Sequence, residues 1–323
     1  MGAACFSLLR ILADGDFHSE ERLGHALGLS PRGVREVVSE LETLGLSVRD
    51  GDTGYRLEER VDLYDAKLLA EQLKRQSPAL RLEMLDECPS TNTRLAERAR
   101  AGAAHGTVLV CEHQSAGRGR RGNAWVSSIG GSVTFSVLWR FPRGAAALAG
   151  LGLAVAVGAA KALETLGARG ISVKWPNDLL CSGRKLGGIL IETADDAASA
   201  CAAIVGVGVN LRLGASARRQ IATPVTDIAT NCARAPSRAV VLVGLIASIE
   251  SALEQFSREG LAPFRGPWLE RHAWQGRRVV LSRGDRCVAE GEAVGIAEDG
   301  ALELASERGI ERFHSGELSL SLE

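Results

Sequence analysis

The first sixty residues contain three helical patterns followed by two short strand patterns. Apolar residues recur with helical spacing over residues 5–13, and Ser19 stands where it would cap a second helix. The third helix presents one apolar face, formed by Val34, Val37, Val38, Leu41 and Leu44. Strand patterns at 46–49 and 55–57 flank a turn-rich segment. Three helices and a hairpin predict a winged helix-turn-helix unit over residues 1–62.

The middle of the chain alternates between strand and helix patterns. Strands are expected at 81–85, 107–111, 132–139, 171–174, 186–192 and 203–211, and helices at 93–100, 145–166 and 240–256. This mixture predicts an α+β domain over residues 81–272 with a largely antiparallel, mixed sheet. The helix-favouring segment 63–80 is expected to be a linker into this domain. Residues 212–224 are polar and irregular, which predicts a mobile loop.

Short strands separated by turns make up the C-terminal part of the chain. Turn residues occur at 284–285, 299–300 and 308–309. From residue 275 onward this pattern predicts a small β-barrel of about 45 residues. We therefore expect a separate domain over residues 273–323.

Cysteine usage and hydropathy indicate where the protein works. The seven cysteines are odd in number, scattered and never spaced as CxxC, which indicates a reduced compartment without a disulfide framework or a zinc site. The apolar run 145–160 spans only about 24 Å as a helix, against roughly 30 Å for a bilayer core, so we interpret it as a packed core helix. The N-terminus has no signal-peptide pattern. The sequence thus predicts a cytoplasmic protein with no membrane partner and no metal site.

Charge is distributed unevenly along a chain whose net charge is −1. Residues 113–163 contain no Asp or Glu but five Arg and one Lys, so these 51 residues carry +6 and indicate a site for an anion. Residues 1–60 carry −4, from seven Arg against eleven Asp and Glu. DNA affinity depends on neutralising phosphates. This acidic unit is therefore either a DNA-binding module, with Arg32 and Arg35 as its candidate contacts, or a helical appendage that braces or dimerises.

Glycine-rich, cationic motifs carry the candidate chemistry. They are the segments 117–122 (GRGRRG), 174–178 (KWPND) and 183–188 (GRKLGG). Flexible glycines next to cations let a backbone close around an anion, and guanidinium groups supply forked donors for phosphate and carboxylate oxygens. The sequence therefore favours an enzyme site for a phosphate-bearing ligand.

Two other interpretations of residues 117–122 are weaker. The segment matches the dinucleotide fingerprint GxGxxG formally, but helix-breaking residues follow it and no carboxylate appears until Glu164. This context argues against an NAD oxidoreductase, whose loop opens a helix and needs an acidic residue about 20 positions further on. An RNA-binding basic patch remains as an alternative, although few aromatic residues are interleaved with the cations.

These motifs resemble those of the bifunctional biotin–protein ligase and biotin-operon repressor family. Four further segments carry the same resemblance: 90–92 (STN), 112–116 (EHQSA), 206–210 (GVGVN) and 316–319 (GELS). The resemblance covers essentially the whole chain. It implies a class II synthetase-like central domain and a C-terminal domain like a small SH3 barrel. It also implies a two-step reaction, in which biotin and ATP give biotinyl-5′-AMP and pyrophosphate, and the biotinyl group then passes to a lysine of a biotin carboxyl carrier protein.

The resemblance also implies cofactors, partners and site residues. Mg²⁺ would accompany ATP. Besides the carrier protein, the partners would be operator DNA and, once the adenylate is bound, a second copy of the chain. Biotin would be bound by Ser90, Thr91, Asn92, Gln114, Gly117, Arg118, Gly119, Arg120, Lys185, Gly188, Gly206 and Gly208. ATP would be bound by Arg118, Arg120, Arg121, Trp125, Lys174, Asn177, Asp178 and Asn210. Arg118, Arg120 and Lys185 are the implied catalytic residues, because they would screen the approach of a carboxylate to the α-phosphate.

Several points stay open at the level of the sequence. Residues 212–224 would close over the adenylate. Asp178 would hold a metal, brace a loop or deprotonate the incoming lysine. Asn123 stands where some relatives carry a further basic residue, which would leave a phosphate contact missing. A biotin-sensing DNA-binding regulator with little ligase activity and a lipoyl-type ligase of the same fold remain alternatives.

Overall fold

The chain begins with three helices and a hairpin in the computed structural model, which describes residues 2–142, 144–197, 200–316 and 318–322. The helices are α1 (Ala3–Leu12), α2 (Glu20–Leu27) and α3 (Pro31–Thr43), and the strands are β1 (Val48–Gly51) and β2 (Gly54–Leu57). The Ser19 side chain accepts a hydrogen bond from Arg22 N, as expected of a helix cap. The apolar face of α3 is buried in a core cluster that it shares with α1, α2 and β2.

The central part is built on a seven-stranded sheet that is antiparallel except at one edge. Its strands are β3 (Arg81–Cys88), β4 (Thr107–Gln114), β5 (Ser132–Phe141), β6 (Ile171–Lys174), β7 (Asp178–Cys181), β8 (Arg184–Ala197) and β9 (Ala200–Asn210). They lie in the order β3-β4-β5-β9-β8-β7-β6, and the pair β3–β4 is parallel. The prediction of a mixed, largely antiparallel sheet is confirmed.

Helices cover both faces of this sheet. The helices of this part are α4 (Ala66–Gln76), α5 (Thr91–Arg100), α6 (Leu151–Thr165), α7 (Ala215–Gln220), α8 (Ile228–Asn231), α9 (Arg238–Glu259) and α10 (Ala262–Leu269). The large core lies between the sheet and the packed pair α6–α9, whereas α5 covers a smaller cluster on the opposite face. By length and composition alone, Ala145–Thr165 and Arg238–Glu259 are apolar enough to cross a membrane, but 61% and 50% of their apolar windows are buried.

The segment 63–80 is packed into the central core, which differs from the expected linker. Helix α4 occupies most of it and buries Leu69 and Leu73 against the core of the sheet. Two leucines four positions apart give a helix one apolar face, and packing on the neighbouring core is what covers that face.

Two further segments differ from their predicted form. The helix predicted at 145–166 is interrupted at Gly150, where φ is 78°, so a 3-10 turn (Ala145–Leu148) precedes α6. Residues 212–224 are not wholly irregular, since they contain α7. The side chain of Arg218 on this helix forms an ion pair with Asp227, which fixes the segment to the body of the sheet domain.

The C-terminal part is a five-stranded antiparallel sheet. Its strands are β10 (Arg278–Arg283), β11 (Arg286–Ile296), β12 (Leu302–Ser306), β13 (Gly309–Phe313) and β14 (Ser319–Leu322), in the order β13-β12-β11-β10-β14. Its buried apolar side chains belong to the same core cluster as α6, α9 and α10. Arg143, and Glu317 of the segment 316–319, lie outside the described residues.

Side-chain contacts connect the N-terminal unit to the central sheet. Arg10 of α1 forms an ion pair with Asp86 of β3 that uses both carboxylate oxygens. Ile129, from the segment between β4 and β5, belongs to the N-terminal core cluster. The N-terminal unit is therefore held against the edge strand β3 and against the segment between β4 and β5.

Candidate active site

The candidate site is a cleft on the sheet where β8 and β9 carry glycines. Gly188 on β8 lies directly opposite Gly208 on β9, and Gly206 is on the same face two residues away. The segment 115–131 between β4 and β5, called the arginine loop below, folds back on itself as a short hairpin over these glycines. Among the residues predicted from the sequence, the cleft is lined by Ser90, Thr91, Asn92, Gln114, Arg118, Gly119, Arg120, Arg121, Trp125, Asn177, Asp178, Lys185, Gly188, Gly206 and Gly208.

A buried polar network forms the floor of the cleft. Gln114 Oε1 accepts hydrogen bonds from Thr91 N at 2.7 Å and from the Thr91 hydroxyl at 3.1 Å. Ser136 Oγ lies 2.8 Å from Thr91 Oγ1 and 2.6 Å from Asn92 Oδ1. Thr91 and Asn92 occupy the first turn of α5, so the positive end of the helix dipole lies at the floor. Fixed donors and acceptors of this kind orient a small polar ligand.

The glycines of the floor leave no room for a side chain. A Cβ on Gly206 would lie 2.1 Å from Asn92 Oδ1, and one on Gly208 would lie 2.6 Å from the Trp125 indole. A Cβ on Gly117 would lie 2.4 Å from the Trp125 carbonyl oxygen. Close packing therefore requires glycine at these positions, because the Asn92 and Trp125 side chains lie directly against the backbone of β9.

Two lysines share one carboxylate at the wall of the cleft. Lys185 Nζ lies 2.8 Å from Asp178 Oδ1, and Lys174 Nζ lies 3.9 Å from Asp178 Oδ2. The Lys174 ammonium also lies 4.8 Å from the centroid of the Trp274 ring. Burial lowers the pKa of Lys174, while the Asp178 carboxylate opposes this shift. Because both oxygens of Asp178 face ammonium groups, its side chain orients the lysines.

Arg118 is held by a carboxylate that the sequence did not point to. Its Nη2 donates to Glu192 Oε1 at 2.7 Å, and its Nη1 donates to Thr93 Oγ1 at 3.2 Å. The same Glu192 accepts a hydrogen bond from the Asn92 amide at 2.8 Å. The arginine loop is therefore tied to the sheet on one side and to α5 on the other.

Arg120 reaches from the arginine loop to the C-terminal sheet unit. Its Nη2 donates to the carbonyl oxygens of Ser315 at 3.1 Å and Gly316 at 2.7 Å, and its Nη1 lies 3.4 Å from Asn177 Oδ1. Burial lowers the pKa of Arg120, but a guanidinium starts from so high a value that it stays charged. The C-terminal unit thus holds the Arg120 side chain in place through two backbone carbonyl oxygens.

Three predicted site residues lie behind the lining of the cleft. Gly117 and Lys174 contact lining residues, as described above. Asn210 is buried at the end of β9, where its amide donates to the Thr226 carbonyl at 3.1 Å. Its Oδ1 is buried without a hydrogen-bond partner among the described residues, so it is poised to accept a bond from a ligand or water.

The two arginines predicted to contact DNA lie on α3, in the N-terminal unit. Arg32 Nε lies 2.9 Å from Glu36 Oε1, and Arg35 Nη1 lies 2.7 Å from Glu20 Oε1. Both arginines are exposed. Their charge is thus locally matched by carboxylates.

Sequence reasoning missed Glu192 and Ser136 in the site. Ser136 lies in the middle of a buried apolar strand, and a polar residue in such a strand is the signal that points inward to a network. Glu192 follows the apolar run of β8, and the sequence pattern predicted that the strand ends at this residue. The β8–β9 ladder in fact continues past Glu192, which pairs with Ile204.

Taken together, the cleft joins a polar floor to a cationic wall. Such a wall stabilises charge that develops when an acid group approaches a phosphate. Among the described residues there is no group of three or more His, Cys, Asp or Glu side chains arranged to hold a metal ion.

Comparison with known proteins gives the same picture. Residues 85–210 match the model of the biotin/lipoate A/B protein ligase family, and residues 276–321 match that of the biotin protein ligase C-terminal domain. The chain is 36% identical over 317 residues to the bifunctional ligase/repressor BirA of Escherichia coli, which covers 97% of this chain and 96% of that protein. It is 33% identical to a biotin–[acetyl-CoA-carboxylase] ligase of Paracoccus denitrificans over 73% of this chain and 98% of that protein.

A solved structure extends the comparison to three dimensions. The biotin protein ligase of Aquifex aeolicus in complex with biotin and ATP superposes with a TM-score of 0.65 at 29% identity, over 75% of this chain and 99% of that one. The cleft, the motifs and these matches agree, and the chain belongs to the biotin/lipoate A/B protein ligase family.

Proposed function

We propose that the protein is an ATP-dependent biotin–protein ligase that forms biotinyl-5′-AMP and transfers the biotinyl group to a lysine of a biotin carboxyl carrier protein. The observation that carries this proposal is the cleft itself, in which Arg118, Arg120 and Lys185 surround one cavity with a buried polar floor. Relatives named as biotin ligases, and a structure that holds biotin and ATP, support the same assignment.

The floor fits the head group of biotin. A ureido ring is flat and neutral, with two N–H donors and one carbonyl acceptor. The network of Thr91, Asn92 and Gln114 offers donors and acceptors within a few ångströms of one another. Gly206 and Gly208 let Asn92 and the Trp125 indole, which line this subsite, lie against the backbone of β9. We assign Ser90 and Gly188, which also line the cleft, to this subsite.

The cationic wall fits the adenylation step. The biotin carboxylate attacks the α-phosphate of ATP, so two anions must approach each other while pyrophosphate leaves. Lys185 and Arg120 would screen this approach and stabilise the charge of the transition state. Asp178 would hold Lys185 in place through the 2.8 Å contact. Asn177 would contact the nucleotide directly, and the unpartnered Oδ1 of Asn210, which is buried behind the lining of the cleft, would reach it through a bridging water.

Mg²⁺ would enter with the triphosphate. No cluster of three protein ligands exists among the described residues, and the Asp178 oxygens face lysines. Phosphate oxygens and water would therefore supply most of its coordination. When bound, the ion would neutralise charge on the leaving pyrophosphate.

Transfer to a carrier domain tests the proposal directly. The protein is incubated with biotin, ATP, Mg²⁺ and a biotin carboxyl carrier domain, and the carrier is weighed by mass spectrometry. The expected result is a mass increase of one biotinyl group that requires both ATP and biotin. Calorimetry with biotin and with lipoate separates this activity from that of a lipoyl-type ligase. Binding of lipoate alone, or an unmodified carrier, would contradict the proposal.

A second function, biotin-responsive repression, is supported by the N-terminal unit. The bifunctional ligase/repressor of Escherichia coli matches 97% of this chain, and the three helices and hairpin fit a winged helix-turn-helix. We propose that Arg32 and Arg35 contact DNA phosphates, and that a homodimer with bound adenylate brings two such units to two half-sites. Gel shifts of operator DNA with and without biotin and ATP test this, and no shift in either condition would leave a ligase alone.

A further inference from the structure

The arginine loop needs a fixed base, and its two stems are only partly paired with each other. The loop leaves β4 after Gln114 and enters β5 at Ser132. The ladder between these strands covers the three pairs from Val108–Val137 to Val110–Phe135. Nearer the loop, Thr134 Oγ1 donates to the Cys111 carbonyl at 3.3 Å, and other contacts must hold the stems together.

Arg238, the first residue of α9, bridges the two stems. Its Nε donates to the Ser132 carbonyl at 2.7 Å, and its Nη1 donates to Glu112 Oε2. The Arg238 and Glu112 side chains are 0% and 1% exposed. Ser132 is the first residue of β5, and Glu112 is two residues from Gln114 at the floor of the cleft. One guanidinium therefore contacts both ends of the segment that carries Arg118, Arg120 and Trp125.

The same guanidinium is fixed by the chain that leaves the N-terminal unit. Asp62 Oδ2 accepts a hydrogen bond from Arg238 N at 2.9 Å, and the Asp62 carbonyl lies 3.3 Å from Nη1. Tyr64 N donates to Glu112 Oε1 at 2.7 Å, and the Tyr64 ring lies 3.9 Å from the centre of the guanidinium. The segment that follows the N-terminal unit and the base of the arginine loop thus meet at the buried ion pair between Arg238 and Glu112.

We propose that Arg238 is a positioning residue of the ligase reaction, and that it fixes the base of the arginine loop by clamping Glu112 to Ser132. The inference rests on the proposed function, because it assigns the loop to biotin and ATP. A planar fork is required for this clamp, since a lysine ammonium is a point charge that cannot span both stems in the same geometry. Loss of the clamp loosens the loop without removing any group that touches the substrates.

The test compares Arg238→Lys with the wild type in three measurements. They are the dissociation rate of biotinyl-5′-AMP, the KM for biotin against kcat, and the melting temperature. We expect the adenylate to dissociate roughly 10- to 100-fold faster and the KM for biotin to rise by a similar factor, because small displacements of binding groups have effects of this size. Transfer of preformed adenylate at saturation should change by less than about threefold.

Arg271→Lys is the matched control. Arg271 forms a bidentate pair with Glu164 at 3.0 and 2.9 Å and does not contact the arginine loop. If both variants melt at lower temperature but only Arg238→Lys releases the adenylate faster, the clamp is supported. Equal adenylate dissociation in the wild type and Arg238→Lys would overturn it.

Two further variants keep the test decisive if Arg238→Lys does not fold. Glu112→Gln keeps an acceptor for Arg238 and should give a smaller increase in adenylate dissociation. Asp62→Ala leaves the Glu112–Arg238 pair intact and loosens only its link to the N-terminal unit. Asp62→Ala should therefore keep the wild-type rate of adenylate dissociation, whereas the wild-type rate in folded Glu112→Gln would overturn the proposal. A wild-type protein that forms no adenylate would instead contradict the proposed function.

Discussion

At the scale of single residues, the site is defined by charged side chains that would destabilise the fold if they lacked a partner of opposite charge. Lys185, Asp178 and Lys174 form one chain of charges. The sequence indicated the lysines and the carboxylate through their motifs. It did not indicate that they would contact one another, since their spacing along the chain does not give the register between β7 and β8.

Replacing Lys185 removes one of the cations that line the cleft. Lys185→Ala should lower biotin-dependent ATP–pyrophosphate exchange by at least about 100-fold, as loss of a group that stabilises a transition-state charge does. Lys67→Ala, at an exposed position on α4, is the control and should behave as wild type. Near-normal exchange in Lys185→Ala would remove this residue from the mechanism.

The lowered pKa of Lys174 gives a pH dependence. A lysine whose pKa is lowered loses its proton below the ordinary value of 10.5. ATP binding should therefore weaken by roughly tenfold as the pH rises through that lowered pKa, because one charge-assisted contact is lost. Folding gains stability from this group over the same range, since the unfolded chain binds more protons there.

Lys174→Arg distinguishes loss of the positive charge at position 174 from other effects of high pH on ATP binding. An arginine keeps its proton throughout, so the Kd for ATP, measured by calorimetry against pH, should stay flat where that of the wild type rises. Parallel pH profiles for the two proteins would show that Lys174 does not titrate in the binding step.

At the scale of elements, the cleft depends on how strands present their backbone. The patterns of apolar residues predicted the strands and a helix at 93–100, which is α5 and begins two residues earlier, at Thr91. The pattern could not show that β8 continues through the polar residues after Ile191, because the partner strand β9 supplies the hydrogen bonds there. Likewise α4 looked like a linker, since its buried face is covered by a core formed from distant residues.

The close packing at Gly208 of β9 gives a prediction about biotin affinity and stability. Gly208→Ala should weaken biotin binding by roughly tenfold and lower stability by about 1–3 kcal/mol, because the added methyl group meets the Trp125 indole. Calorimetry with biotin and thermal melts measure the two effects. Gly266→Ala, in open space within α10, is the control and should stabilise by about 0.5–1 kcal/mol. Unchanged biotin affinity in Gly208→Ala would place the ligand elsewhere.

At the scale of the whole molecule, charge separates the two proposed activities. Three cations of the +6 segment, Arg118, Arg120 and Arg121, line the cleft, whereas the −4 unit carries the proposed DNA contacts. Composition indicated these two opposite net charges, but not that Arg32 and Arg35 each have a carboxylate partner. Ion pairs at an exposed surface are weak, so phosphate groups can compete for these arginines.

Removing the partner of Arg32 should therefore strengthen DNA binding. Glu36→Gln is expected to raise operator affinity by up to about fivefold at low salt, in line with the free energy of an exposed ion pair. Glu42→Gln makes the same change of charge at an exposed position on α3 and is the control. Gel shifts at several salt concentrations measure both. An equal gain in the two variants would mean that only net charge matters.

The separate core of the N-terminal unit has a consequence for heating. Its buried side chains form one cluster, whereas the central and C-terminal sheets share another. Cooperative melting follows a common interior, so a calorimetric scan should contain one endotherm for the small helical part and a second for both sheets together. Scanned with biotin and ATP, the later endotherm should move to higher temperature, and any movement of the earlier one would measure how strongly the two parts are linked.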